Sequence, residues 1–190
     1  HCLASLNPFV GQGMAPTVVG FAAERWADYS SSTVWSGSAW GQVQRTEGSA
    51  YVTGPTVLAI DTRHNYAKPA PGTTADHQWL TSSTLSGAGW TEPARVTDPS
   101  GGWVGGYEGT TAPDGSYVVI YGKRNPWRSV AVWSVTYADG AWSKARIVAP
   151  SRTAAKGSTG VWLAPPVAAP SGRVTAAWVV DDKVFASSSG

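Results

Sequence analysis

The chain has 190 residues, with 14 basic and 12 acidic side chains, a net charge of +2 and no run of Lys or Arg. This weak, scattered charge excludes the usual nucleic-acid-binding surface, which needs clustered basic residues. No apolar run reaches the roughly 18 to 20 residues that span a bilayer, and no long helical periodicity is present.

Aromatic and turn-forming residues dominate the composition. The chain contains 11 Trp and 7 Tyr but only 3 Phe and 1 Met, together with 22 Gly and 13 Pro. Trp combines a large apolar face with one N–H donor, so it suits both half-buried sheets and flat ligand platforms. Many turns between short apolar runs predict an all-β fold.

The first predicted repeat covers residues 1–46. Residues 1–15 are predicted to be irregular, because Asn7-Pro8 and Gly11-Gln12-Gly13 interrupt regular structure. The rest of the repeat is predicted to contain a strand buried on both faces at 16–22, a polar and aromatic connection at 24–29, a strand at 33–35, a turn at Gly37 and an outer strand at 40–45.

The second predicted repeat, residues 47–98, has the same order of elements. Its predicted strands lie at 51–52, 55–60, 78–84 and 90–96, and a long polar connection runs from 61 to 76.

The third and fourth predicted repeats cover residues 99–150 and 151–190. In the third, strands are predicted at 103–107, 117–121, 130–137 and 142–148, a polar turn at 123–128, and sharp turns at Pro113-Asp114-Gly115 and Asp139-Gly140. In the fourth, strands are predicted at 161–163, 174–180 and 184–187, with turns at Pro170-Ser171-Gly172 and Asp181-Asp182-Lys183. The outer strand of the fourth repeat is expected just past Gly190.

A hairpin pattern recurs along the chain. A β-type run and a Gly-bearing turn precede Trp40, Trp90 and Trp142, which are 50 and 52 residues apart. A period near 50 without helical pattern predicts a β-propeller, or part of one, as a single domain of about four four-stranded blades, the last lacking its outer strand. An Arg follows each of these Trp residues at a nearly fixed offset, and five Trp residues in strands are predicted to lie in the core: Trp40, Trp90, Trp133, Trp142 and Trp178.

The pattern Ser83-x-Leu85-x-Gly87-x-x-Trp90 resembles the Asp-box (BNR-type) repeat of sialidase-like β-propellers, Ser-x-Asp-x-Gly-x-x-Trp. In that family the Asp and Ser pin a hairpin turn and the Trp packs between sheets. Leu85 stands in the place of the Asp here, as Trp35 does in the first copy and Tyr137 in the third. The resemblance implies a sialidase-like or lectin-like fold, and it does not imply sialidase activity.

No intact glycosidase constellation is visible. The resemblance implies that an active sialidase would carry an arginine triad, a Tyr–Glu pair, an Asp acid/base and a Phe/Tyr-Arg-Ile-Pro segment, and that segment is absent. Retaining hydrolysis otherwise needs two carboxyls about 5 Å apart. The adjacent Asp181 and Asp182 would point to opposite faces of a strand, or into solvent in a turn. We therefore expect a non-catalytic protein with no cofactor and no metal, and a sialidase-like glycosidase fragment is an alternative.

The connections between the second and third strands concentrate aromatic, Arg, Asp and Asn residues on one rim. A sugar places its apolar face on an aromatic ring, while planar donors such as Arg take its hydroxyls or carboxylate. In the competing interpretation these polar side chains are simply solvated and the Arg stems cover Trp edges. The predicted ligand-binding residues are Arg25, Trp26, Tyr29, Arg63, Asn65, Tyr66, Trp103, Tyr107, Arg124, Asn125, Trp127, Trp162 and Asp182.

We expect a secreted, lectin-like module that binds a glycan or cell-surface polysaccharide, with no nucleic-acid partner. The alternative is an interaction module that completes a ring with a second chain, at the open blade edge or through Cys2, the only cysteine. Residues 1–10 could instead close the fourth blade, or the chain could be part of a longer one. The start at His1 indicates a processed form or a fragment, and the roles of His1 and Cys2 stay open.

Overall fold

The structure is a computed structural model that describes residues 3–9, 17–24, 27–34, 38–53, 56–65, 77–86, 89–98, 103–124, 129–153 and 161–189. Every regular element in these ranges is a β-strand, and the strands form antiparallel sheets. The expectation of an all-β protein is confirmed.

Four sheets follow one another along the chain. The first, in spatial order, contains β1 (Leu3–Phe9), β2 (Thr17–Glu24), β3 (Ala27–Val34) and β4 (Gln44–Glu47). The second contains β5 (Ser49–Thr53), β6 (Thr56–Asn65), β7 (His77–Ser86) and β8 (Gly89–Trp90), and β9 (Ala94–Arg95) also pairs with β7.

The third and fourth sheets repeat this order. The third contains β10 (Trp103–Thr111), β11 (Tyr117–Arg124), β12 (Ser129–Ala138) and β13 (Ala141–Trp142), and β14 (Arg146–Thr153) also pairs with β12. The fourth contains β15 (Trp162–Ala168), β16 (Val174–Val180) and β17 (Lys183–Ser188). Strands that are consecutive in the chain lie side by side, except that β9 and β14 pair with β7 and β12 and not with the short strands that precede them.

The chain divides into two compact units. The first comprises His1–Thr62 and Leu80–Arg95, and the second comprises Arg63–Trp79 and Val96–Gly190. The first unit therefore holds the first sheet and most of the second, and the second unit holds the third and fourth sheets.

The N-terminal strand departs from the sequence prediction. Leu3–Phe9 was expected to be irregular, but it forms β1 and pairs with β2 from Leu3↔Ala22 to Phe9↔Thr17. Pro8 lacks an N–H donor, and a strand at the end of a sheet can leave that position unpaired. Because residues 3–9 belong to the first sheet, the alternative in which they close the fourth blade is wrong.

The core of the first unit includes a strand without polar alternation. Val57, Leu58, Ala59 and Ile60 of β6 are all buried, as the continuous apolar run predicts. At Gly48, which has a φ of 93°, a Cβ would collide with the carbonyl oxygen of Ile60. Only glycine therefore allows β5 to begin this close to β6.

The predicted outer strands are split in two. The run 90–96 forms β8 and β9, and the run 142–148 forms β13 and the start of β14. In the third sheet, the backbone N–H of Thr136 donates to Ser143 Oγ over 3.0 Å, and Ser143 N–H donates to the Thr136 carbonyl over 2.8 Å. Because the Ser143 hydroxyl takes the donor that a continuous ladder would use, the chain leaves the sheet before β14 begins.

The second sheet repeats this hydroxyl-linked hairpin. The N–H of Thr84 donates to Thr91 Oγ1 over 2.9 Å, and Thr91 N–H donates to the Thr84 carbonyl over 2.9 Å. Thr91 and Ser143 each follow the Trp that was identified from the repeat. In both hairpins, therefore, the hydroxyl that follows the Trp accepts a hydrogen bond beside the turn. Leu85 and Tyr137 stand in these hairpins where the Asp-box pattern has an Asp.

The tight turns of the second unit follow their sequence signals. Asp139 and Gly140 have φ values of 52° and 80°, and Asp181 and Asp182 have values of 50° and 59°. Two residues with positive φ between paired strands form a type I′ turn, which follows the twist of a hairpin. Asp tolerates this left-handed conformation better than most residues, because its short side chain can bond locally.

The Pro-bearing turns are built alike. Gly115 N–H donates to the Ala112 carbonyl, and Gly172 N–H donates to the Ala169 carbonyl, both over 2.9 Å. The third turn residue, Asp114, does not have the positive φ that a type II turn requires. The turn is therefore type I, followed by a glycine in the left-handed region.

The predicted core position of the strand Trp residues holds only in part. Trp178 is 6% exposed and belongs to a cluster that also contains Ile120 and Val132. Trp90 and Trp142 are half-buried; Trp142 meets Tyr137 edge to face, with ring centroids 5.3 Å apart. Trp40 is 51% exposed, so the prediction is wrong there. It lies outside a regular strand, before β4 begins, where the sheet does not cover it.

Candidate functional site

Four of the predicted ligand-binding residues lie at one end of the third and fourth sheets. Trp103 opens β10 and is paired with Arg124, which ends β11. Trp162 opens β15 and is paired with Val179. Asp182 lies in the turn that follows β16. We call the strand ends that carry Trp103, Arg124, Trp162 and Asp182 the rim.

Contacts between the two sheets bring these strand ends to the same edge. Val161 directly precedes β15, and its Cγ1 lies 4.0 Å from where a Cβ on Gly105 would be. A Cβ on Gly122 would overlap the same methyl group. The Cζ atom of Arg152, near the end of β14, lies 4.7 Å from the centroid of the Phe185 ring. The start of the fourth sheet therefore lies beside the rim end of the third.

The rim combines an accessible indole with charged side chains. Trp162 is 69% exposed, although a Trp normally hides most of its apolar surface. Arg124 is half-buried and Asp182 is exposed. An exposed indole can stack on a planar apolar group, and a guanidinium and a carboxylate at neighbouring strand ends can hydrogen-bond to hydroxyls.

Two further ionisable groups lie on β11 before the rim. The ammonium of Lys123 donates to the Asp98 carbonyl over 3.4 Å, and burial lowers the pKa of Lys123. Burial raises the pKa of Tyr121 to about 12, and the Asp98 carboxylate adds to the shift. Tyr121 therefore stays protonated in neutral solution. Sequence reasoning placed Lys123 in a polar turn and Tyr121 in an apolar strand, and no signal indicated that Asp98 meets both.

The remaining predicted site residues are not all in loops. Arg63 and Asn65 lie in β6, which extends five residues into the predicted connection, and Tyr29 lies in β3, opposite Ala22 and Glu47. Strand pairing continues through these polar residues, because each added residue completes backbone hydrogen bonds whatever its side chain. Tyr107 lies within β10, opposite Tyr121, away from the strand end. Five predicted residues fall outside the described ranges: Arg25, Trp26, Tyr66, Asn125 and Trp127.

A cavity of about 550 Å³ lies at the opposite end of the same two sheets. Its walls come from β11, β12 and β14 on one side and from β16 and β17 on the other. Toward the rim the facing residues are large, as in Trp178 and Phe185, whose rings stack with centroids 6.1 Å apart. At the cavity they are small, as in Ala176 and Ser187, so the two sheets leave a gap. The sequence predicted only ordinary turns at this end.

Neither a metal centre nor a membrane helix is found in the described ranges. No group of three or more His, Cys, Asp or Glu side chains comes together there in a way that could hold a metal ion. The same ranges contain no helix long and apolar enough to cross a membrane.

Comparison with known proteins adds no assignment. No protein-family model matches the chain, and no curated protein sequence is significantly similar to it.

Proposed function

We propose that this protein is a secreted, non-catalytic module of the β-propeller type that binds carbohydrate at its rim. The observation that carries the proposal is the exposure of Trp162 at the end of two sheets where the strand ends also include Trp103, Arg124 and Asp182. A secreted location belongs to the proposal, since cell-surface polysaccharides lie outside the cell.

Strand order and packing support a propeller arrangement. In the second and third sheets the strands run from first to fourth without a crossover, and a Trp lies in the short fourth strand. The first strands of the third and fourth sheets, β10 and β15, pack against each other. In a propeller the first strands of successive blades line the central channel, so this contact is the expected one.

The rim would bind a sugar by stacking and planar hydrogen bonds. The apolar face of a pyranose ring would lie on the Trp162 indole, and its hydroxyls would donate to Asp182. Arg124, at the end of the third sheet, would donate to hydroxyl or carboxylate oxygens of another sugar residue in the same polymer. Such a site is shallow and open, so we expect weak binding of single sugars and stronger binding of polymers that engage several sites.

Glycan-array binding followed by titration calorimetry tests the rim. Losing an aromatic contact worth about 1.4 kcal/mol weakens affinity about tenfold, which is the expected effect of Trp162→Ala. Trp40→Ala is the matched control, because Trp40 is also exposed but lies in the other unit. The proposal fails if no glycan binds, or if both substitutions reduce binding equally.

A second candidate function, docking of a second copy of this chain, is favoured by the outer face of the fourth sheet. Cross-strand pairing places on this face Trp162, Ala164, Val167, Thr175, Ala177, Val179, Val184, Ala186 and Ser188. None is charged, and Val167 and Val184 are 68% and 76% exposed. An exposed uncharged sheet face of this kind usually marks an interaction surface.

The internal repeat indicates what would cover this face. Aligning the turn glycines Gly115 and Gly172 makes Thr175 and Ala177 the counterparts of Val118 and Ile120. In the third sheet, Ile120 packs in one cluster with Ala176 and Trp178 of the fourth. The counterpart face is therefore suited to another sheet of the same type. Val184 is 76% exposed among the described residues of the second unit, and a second copy of the chain is the occupant that we propose.

Light scattering under reducing conditions, which keep Cys2 from forming a disulfide, tests this candidate. Three strands of about seven residues cover about 23 Å by 14 Å, so we expect weak, concentration-dependent association. Val184→Lys should abolish association, and Ser171→Lys, in an exposed turn, should not. A monomer at every concentration contradicts docking. The two candidates also differ at Trp162, which a docked copy would hide from sugars.

A further inference from the structure

The cavity between the third and fourth sheets contains polar groups that the fold does not use. Several of its hydroxyls are already engaged: Ser116 Oγ donates to Asp114 over 2.7 Å, and Ser189 Oγ accepts from the Val174 N–H over 2.9 Å. These hydrogen bonds hold the turns and strand ends at the cavity mouth. These bonds account for the presence of Ser116 and Ser189 in the cavity wall, so neither residue is evidence for a ligand.

Four other lining residues do not use their side chains in hydrogen bonds of the fold. The hydroxyls of Ser134, Thr136 and Ser187 and the guanidinium of Arg146 line the cavity. Within the described residues, none of these four side chains has a hydrogen-bond or ion-pair partner. Ser134, Thr136 and Ser187 are half-buried and Arg146 is exposed, so their donors must be satisfied by water or by a ligand.

The register of the strands brings these groups together. Ser134 of β12 is paired directly with Arg146 of β14, so their side chains start about 5 Å apart on one face. Thr136 lies two residues further along β12 and points to the same face. Ser187 comes from the opposite wall, where it is paired with Ala176. The apolar part of the lining includes the half-buried Val118 and Val174, above the buried Ile120 and Ala176.

The charges of the cavity are separated. Asp114 is the acidic residue among the lining residues, and hydrogen bonds from Ser116 lower its pKa, so it is ionised in neutral solution. Arg146 lies level with Ile120 in the sheet, because Ser134 pairs with both residues. Asp114 is bonded to Ser116, which is four residues from Ile120 along the chain, so the strand geometry separates the two levels by about 13 Å. This distance exceeds the screening length of about 8 to 10 Å at physiological salt. An anionic group beside Arg146 is therefore not repelled strongly by Asp114.

We infer that this cavity is a second binding site, which takes one hexuronate residue. Its carboxylate would accept hydrogen bonds from Arg146 and Ser134, its ring hydroxyls would meet Thr136 and Ser187, and its C–H face would lie on Val118 and Val174. A mixed wall of this kind, with a few placed polar groups over an apolar floor, is typical of small-ligand pockets. The choice of a sugar acid as the ligand rests on the proposed carbohydrate-binding function.

Titration of the whole chain with methyl glucuronide, followed by NMR and calorimetry, tests the site. We expect millimolar affinity, at least about tenfold weaker binding of the neutral methyl glucoside, and a loss of at least about tenfold in Arg146→Gln. Lys144→Gln is the matched control, because Lys144 is an exposed cation two residues away that does not line the cavity. Thermal unfolding of both variants checks that the fold is retained.

The outcomes separate this site from the rim. If Trp162→Ala abolishes polysaccharide binding while glucuronide binding persists and depends on Arg146, both sites are supported. If glucuronide binding persists but Trp162→Ala has no effect, only the rim is refuted. The cavity site is overturned if glucuronide does not bind at millimolar concentrations, if Arg146→Gln binds as well as Lys144→Gln, or if the neutral glucoside binds equally well.

Discussion

The contact between Gly122 and Val161 is the sharpest place to test how the third and fourth sheets pack. Gly122 is buried in β11, and a Cβ there would overlap Cγ1 of Val161 and lie 3.3 Å from its Cβ. Val161 is 6% exposed and packs with Ile120 and Trp178. Its β-branched side chain has few alternative rotamers, so it cannot simply turn away from an added methyl group.

The expected magnitudes follow from this overlap. Gly122→Ala should lower the free energy of unfolding by about 1–3 kcal/mol, the usual cost of an overpacked core. Val161→Ala removes two buried methyl groups and should cost about 2–3 kcal/mol. In the double variant the new methyl occupies the vacated space. The double variant should therefore be no less stable than Val161→Ala alone, which gives a coupling free energy of about 2 kcal/mol between the two substitutions.

Urea unfolding followed by Trp fluorescence provides the assay. Gly105→Ala is the matched control: it adds a methyl group near the same side chain, but the new Cβ would lie at an ordinary distance of 4.0 Å from Val161 Cγ1. We expect this control to change the free energy of unfolding by less than about 1 kcal/mol. The reasoning is refuted if Gly122→Ala is as stable as Gly105→Ala, or if the effects of Gly122→Ala and Val161→Ala simply add.

Three further predictions concern single interactions. Ser143→Ala removes the acceptor for the Thr136 N–H, and urea unfolding should detect a loss of about 0.5–1.5 kcal/mol; no change would mean that water replaces the hydroxyl. Ser116→Ala should raise the lowered pKa of Asp114 toward its ordinary value of 3.8 in an NMR titration, and an unchanged pKa would contradict the role of the hydroxyl bond. Since the pKa of Tyr121 is raised from 10.0 to about 12, its stabilising contribution should be complete below pH 10 and be lost as the pH rises toward 12. The difference between the absorbance titrations of the unmodified chain and of Tyr121→Phe gives the pKa of Tyr121, and a value near 10 would contradict the prediction.

The expected stability change of the Asp114 carboxylate has the opposite sign. Because the folded state lowers its pKa, its contribution should be present above about pH 4 and be lost as the solution is acidified below that value. Asp114→Asn should remove this acid-sensitive component, and comparison of unfolding curves in mildly acidic and neutral buffer checks it. The same acid dependence in both proteins would contradict the assignment.

Local sequence signals predicted the turns and most of the strands of the second unit. Asp139-Gly140 and Asp181-Asp182 tolerate positive φ, and Pro113 and Pro170 have the φ that the first position of a type I turn needs. These preferences act within a few residues, so they can be recognised without knowing the rest of the fold. The sequence predicted too short a strand for β6, because backbone pairing continues through the polar Arg63 as readily as through an apolar residue.

The candidate site could be predicted only in part. The repeat located the strand ends that carry Trp103, Arg124, Trp162 and Asp182, because residues at the ends of equivalent strands meet at one edge of packed sheets. The cavity gave no such signal. Ser134 and Arg146 become neighbours only through the pairing of β12 with β14, and Ser187 reaches them only across the gap between two sheets.

By itself, then, the sequence determined the all-β class, the recurrence of Trp-bearing hairpins and the chemistry of the turns, since each depends on local conformational preference. Only the tertiary structure decided that Trp178 is buried while Trp162 is exposed, and that the Val161 side chain packs against Gly122. Burial and close approach depend on which surfaces the sheets turn toward each other. Nothing in the residue type or spacing of two Trp residues specifies which of them another sheet will cover.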